Sequence, residues 1–131
     1  MPSVEPKLLA DWLVLQHSKE GSEEYEAAFW SFGRVWELCC DEPEEAWEFI
    51  LAALRTDSSN KVKEVLSAGP LEDLLSKHGQ RVIQRVENEA LRNPEFASLL
   101  GGVWQNAMPE GVWSRVQAVW DRRGWDGIPD T

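Results

Sequence analysis

Proline stands at the start of one apolar stretch after another. Asp41-Glu42-Pro43-Glu44, Gly69-Pro70-Leu71-Glu72, Asn93-Pro94-Glu95 and Pro109-Glu110 repeat one device. Proline's missing N–H costs nothing at the first helical position, and carboxylates in the first turn suit the helix dipole. Apolar residues follow each start at spacings of three and four, the period of an amphipathic helix. No run alternates with period two long enough to make a strand. The chain therefore reads as all-α.

The helices follow in order. Pro6 to about Ser18 carries Leu8, Leu9, Trp12, Leu13 and Leu15. Ser22 caps a second helix reaching about Cys40, whose inward stripe reads Tyr25, Ala28, Phe29, Phe32, Trp36 and Cys39; Trp30 falls off that stripe and is expected partly exposed. Pro43 opens a third, with Ala46, Trp47, Ile50, Leu51 and Leu54 facing in. A short helix from Lys61 ends at Gly69, whose freedom to turn left-handed suits a helix end. Pro70 then starts a central helix through Leu71, Leu74 and Leu75, and Gly79 stops it. A helix from Gln80 to Leu91 buries Val82, Ile83, Val86, Ala90 and Leu91, and turns Arg81, Arg85, Glu89 and Arg92 to solvent. The helix after Asn93 carries Phe96, Leu99, Leu100, Val103 and Trp104, weakened by Gly101-Gly102. The last carries Val112, Trp113, Val116, Val119 and Trp120. These short capped turns predict a compact multi-helix bundle of about seven or eight short helices, with HEAT-like antiparallel hairpins in its middle. At 131 residues a single domain is expected, with an irregular tail from about residue 124. Most of the eight tryptophans are expected to be core pillars.

Charge narrows the function. The chain holds 13 basic and 23 acidic residues, a net charge of −10. Residues 1–60 contribute −9 of this and residues 61–131 only −1. Direct binding to nucleic acid needs a basic stripe and is not expected. No apolar run approaches a membrane span and no leader is readable. Adjacent Cys39 and Cys40 fit neither a relaxed disulfide nor a zinc pattern. They read as one buried and one half-exposed thiol in a reducing cytoplasm.

Candidate chemistry is sparse. Glu72 and Asp73 follow Pro70, with His78 nearby, and would form the core of any enzymatic or small-ligand site. Helix-dipole charge and a salt bridge to Arg81 or Arg85 explain the two acids more simply. Acids around Cys39 and Cys40 disfavour a thiolate nucleophile. Two histidines in separate segments make no zinc site, and no metal or cofactor is expected. The stronger signal is the acidic set Glu23, Glu24, Glu26, Glu37, Asp41, Glu42, Glu44, Glu45 and Glu48, together with Trp30. It gathers at both ends of the second helix, with Trp30 and Phe49 expected between the two groups.

The run Pro43 to Ile50, then Gly69-Pro70-Leu71-Glu72-Asp73-Leu74-Leu75, His78-Gly79, Val86-Glu87, Asn93-Pro94-Glu95-Phe96 and Val103-Trp104, resembles a family of small uncharacterised bacterial helical domains over roughly residues 8 to 120. That resemblance implies a helical fold and brings no activity. In size, charge and helix content the chain is also similar to the immunity proteins that neutralise bacterial toxins, and to small acidic, anti-CRISPR-like phage inhibitors. The expected function is a non-enzymatic inhibitor or immunity protein that docks its acidic half on a basic protein. A nucleic-acid mimic is the alternative within the same class, and a ligand site at Glu72, Asp73 and His78 the alternative outside it.

Overall fold

The computed structural model describes residues 4–123 and residue 125. The expected irregular tail from about residue 124 therefore lies outside the described residues, apart from Trp125. Eight α-helices and one π turn make up the described chain: α1 (Pro6–His17), α2 (Glu23–Ala28), α3 (Trp30–Asp41), α4 (Pro43–Thr56), α5 (Asn60–Leu66), the π turn (Ser67–Leu71), α6 (Glu72–Arg92), α7 (Pro94–Leu100) and α8 (Glu110–Val119). There is no strand among the described residues. Two joins keep right-handed helical backbone, at Phe29 between α2 and α3 and through the π turn between α5 and α6. The eight segments thus form six helical rods.

Local chemistry sets most of the ends. Ser22 and Ser59 accept the N–H groups of Tyr25 and Val62, and Asn93 accepts those of Glu95 and Phe96. Pro43 and Pro94 open α4 and α7 as their positions predicted. Gly21 takes φ +88° in the turn between α1 and α2, where a side chain would be strained.

The central joint differs from its sequence reading. Gly69 does not end a helix, and Pro70 does not begin one. Both lie inside a π turn, whose wider i→i+5 path absorbs a proline that an α-turn would reject. Gly79 does not stop α6 either. It is buried against Val112 of α8, and the helix continues through a single distorted residue, His78 (φ −134°, ψ 27°). Farther on, α7 stops at Leu100 rather than reaching Trp104.

The rod formed by α5, the π turn and α6 is the hub, touching α1, α3, α4, α7 and α8. Leu66, Leu71, Leu74, Leu75, Val82 and Val86 are fully buried along it. At roughly 1.5–3 kcal/mol for each fully buried aliphatic side chain, this seam is a major source of stability. Phe49 is buried too, edge-on to Trp12 at 5.5 Å, so it does not lie between acidic groups on the surface. Trp47 meets Phe96 edge-on at 5.3 Å. Of the tryptophans, Trp12 and Trp47 are core pillars, whereas Trp30, Trp36 and Trp104 are exposed. Leu91 is also exposed, while Glu89, expected on the solvent face, is buried with its carboxylate held by Arg92 and Asn93.

Candidate binding surface on α2 and α3

The stripe expected to face inward from α2–α3 faces solvent instead. Phe29, Phe32 and Trp36 are 46%, 58% and 51% exposed. The buried arc is Ala28, Ser31, Val35, Leu38 and Cys39. Both sets obey the 3.6-residue period and share Ala28 and Cys39, so periodicity alone could not choose between them. The arc with smaller side chains lets α3 approach α1, α4 and α6. The larger rings are left outside.

The exposed rings are ordered against one another. Phe29 and Phe32 stack with centroids 5.8 Å apart and planes at 13°. Tyr25 continues the row at 5.6 Å from Phe29. The Lys77 ammonium lies 6.0 Å from the Trp36 ring. Trp30 is 41% exposed, as its position off the stripe predicted. Its Nε1 donates to Asp11 at 2.7 Å, and Lys7 bonds the same carboxylate at 2.9 Å. The Asp11 carboxyl is held below its ordinary range by the hydrogen bonds from Lys7 and Trp30.

The acidic residues divide by element. At 100° per residue, Glu23, Glu26, Glu37 and Asp41 fall with Trp30 in one strip beside the aromatic row. All four are exposed. Glu24, also exposed, falls outside that strip. The acids around the start of α4 have partners within the molecule. Glu44 takes a two-pronged hydrogen bond from Arg85 at 2.5 and 2.6 Å, with Arg81 at 3.9 Å, and this holds its carboxyl low. The Glu45 carboxyl is raised by a hydrogen bond shared with Glu42, and nearby Arg34 offsets part of that effect. Glu48 lies within the electrostatic reach of Arg85. The acids therefore do not fall into one group at each end of the second helix: Glu23, Glu26, Glu37 and Asp41 form a strip along α2–α3, and Glu42, Glu44, Glu45 and Glu48 a partly neutralised cluster at the start of α4.

Beside Phe32 and Trp36 the surface dips into a cleft of about 110 Å³. Trp12, Val65, Gly69 and Asp73 line its other walls. Burial pushes the Asp73 carboxyl above its ordinary range, against the pull of Lys77. Glu72 and His78 do not join Asp73 there. Glu72 accepts the Trp104 backbone N–H at 3.1 Å and the Asn106 side-chain amide at 3.2 Å. His78 donates to the Cys40 carbonyl at 2.8 Å. The expected salt bridge from Glu72 or Asp73 to Arg81 or Arg85 is replaced by these contacts and by the Glu44 pairing. Cys39 is buried and Cys40 half-buried, as expected. No group of three His, Cys, Asp or Glu among the described residues could hold a metal ion.

Residues 18–124 match the family of unknown function DUF6869. The chain belongs to this family. No curated protein and no solved structure matches it. The DUF6869 span takes in α2 through α8, and with them the aromatic row, the acidic strip and the π turn. Helix α1 precedes the span, yet it supplies the Trp12 wall of the cleft and the Asp11 carboxylate that holds Trp30. No described helix is long and apolar enough to cross a membrane.

What the sequence missed was orientation. Sequence periodicity marks every aromatic residue of the row but directs them to the core. The usable signal was the smaller, equally periodic set Ala28, Ser31, Val35, Leu38.

Proposed function

We propose that this chain is a non-catalytic protein-binding module, an inhibitor of the immunity-protein kind. In this reading it presses the α2–α3 face onto a basic surface of a toxin or another nucleic-acid-acting protein. One observation carries the reading: Phe29, Trp30, Phe32 and Trp36 are all exposed on one rod. Contiguous exposed apolar surface edged by charge is characteristic of interaction sites, and aromatic residues are favoured as anchors. The neighbouring strip of Glu23, Glu26, Glu37 and Asp41 supplies the field that would draw in a basic partner and align it.

The test uses the proteins encoded beside this chain, titrated against it at low and at moderate salt. Binding is expected to be fastest at low salt, because exposed charges more than about 10 Å apart are largely screened at 0.1 M. Replacing Glu26 and Glu37 by Lys should slow association by roughly tenfold. Trp36→Ala should mainly speed dissociation, as expected for an anchor. Unchanged affinity in both variants would reject this face. Reversing Glu44 should matter less for binding, since its charge is already paired with Arg85.

A further inference from the structure

The cleft beside the aromatic row has its own chemistry. Its walls are Phe32 and Trp36 of α3, Trp12 of α1, Val65 of α5 and Gly69 of the π turn, with Asp73 of α6 the one carboxylate. At about 110 Å³ it is far below the 300–1,000 Å³ typical of small-molecule pockets. It is of a size for one aliphatic side chain. An unpaired charge driven among these walls would be costly, whereas an apolar group would not. π turns are frequent at functional sites, and this one shapes the cleft directly. Its Gly69 leaves open space where a side chain would stand, with nothing within 4 Å of a Cβ placed there.

We propose that this cleft seats one aliphatic side chain of a basic amphipathic segment. The flanking lysines or arginines of that segment would lie on Asp73 and on the strip of Glu26, Glu37 and Asp41. The proposal rests on the protein-binding reading above and adds the partner's chemistry: a basic, leucine-bearing helix or strand. Charge decides between this occupant and a second copy of the chain. The strip beside the aromatic row is acidic at both ends, with Glu23 and Glu26 at one and Glu37 and Asp41 at the other. A two-fold pairing of this face would set acid against acid whichever way the helices ran. The excess of acid in residues 1–60 points the same way.

The probe is a synthetic helical peptide of Lys and Leu, titrated into the ¹⁵N-labelled full chain. A control peptide of equal charge has the central Leu replaced by Ala. Saturable shifts are expected at the Gly69 amide and the Trp36 indole, with the Ala peptide binding at least about tenfold more weakly, the scale of losing a buried leucine anchor. Gly69→Leu fills the cleft with an apolar side chain and should abolish the leucine preference, with a modest fall in melting temperature because its Cβ stands ahead of Pro70 in helical backbone. Trp36→Ala is the second variant, and should weaken the Leu peptide more than the Ala peptide. Equal binding of both peptides, or a leucine preference that survives Gly69→Leu, would overturn the cleft. Concentration-dependent dimerisation that moves the same resonances without peptide would overturn it as well. If Glu26 and Glu37 reversal weakens a partner while Gly69→Leu does not, the acidic face stands and the cleft falls. If only Gly69→Leu matters, the cleft stands and the charge-led reading falls.

Discussion

Cys39 is the residue whose surroundings alter its chemistry most. Burial, with Asp73 and Cys40 adding to it, pushes its thiol up to about 12, and its Sγ lies 3.4 Å from the Pro70 carbonyl as a donor. The folded state thus holds this proton more tightly than the unfolded chain, whose thiol titrates near 9. The stabilisation is complete below the unfolded value and is lost as pH rises from about 9 toward 12. Urea unfolding between pH 8 and 11 should show wild type losing stability over that window, and Cys39→Ala losing less. A parallel decline in both proteins would place the titrating group elsewhere. The same burial makes Cys39 inert to thiol reagents until the fold opens, so Cys40 should be labelled first. At the acid end the sign reverses. Arg123 beside Asp121 holds that carboxyl at about 2, and Arg85 and Arg115 hold Glu44 and Glu87 low. Their contributions are present above the ordinary carboxylate range and fade as pH falls through it. Each is small because these pairs are exposed to solvent.

Among the elements, α6 governs how closely its neighbours pack. Its Gly79 lies tight against α8, since a Cβ there would sit 2.9 Å from a Val112 methyl group. Valine is stiff at χ1 and cannot swing that methyl away cheaply. Gly79→Ala is therefore expected to destabilise the protein by about 1–3 kcal/mol through overpacking, despite a gain in helix propensity of up to about 1 kcal/mol. Adding Val112→Ala should restore part of the loss, and a double-mutant cycle on thermal melts would measure the coupling. No restoration would mean that the cost arises in the backbone at His78 instead. The Arg115–Glu87 hydrogen bonds, at 2.5 and 2.7 Å, tie the same two helices at the surface. They should matter much less than the Gly79 contact.

For the whole molecule, the helical class, the capped starts at Ser22 and Asn93, the proline start at Pro43, and most of the hub's leucines are legible in the sequence. Each follows from chemistry within a few residues. Two things were not legible, and both depend on neighbours distant in sequence. The facing of α3 is set by how closely α1, α4 and α6 can approach it, and two periodic stripes competed for the inward position. The continuity from Asn60 to Arg92 depends on Gly69 and Pro70 being absorbed within a turn, and on α8 packing against Gly79. The acidic strip was visible as composition, but its separation from the Glu44 cluster required the position of Arg85. The π turn has a further consequence for the chain's tolerance of length changes. A turn with i→i+5 bonding holds on the order of one residue more than an α-turn, so deleting one residue from Ser67–Leu71 would invite an ordinary helix in its place. Everything beyond it would then keep its rotation relative to what precedes it, because the residue lost is the extra one that the wider turn had absorbed. Leu74, Leu75 and Val82 would stay in register with α3 and α4, whereas losing one residue from the regular turns of α5 would swing them by about 100°. A deletion scan should therefore find this turn tolerant of losing one residue, with a modest fall in melting temperature, and α5 intolerant of the same loss.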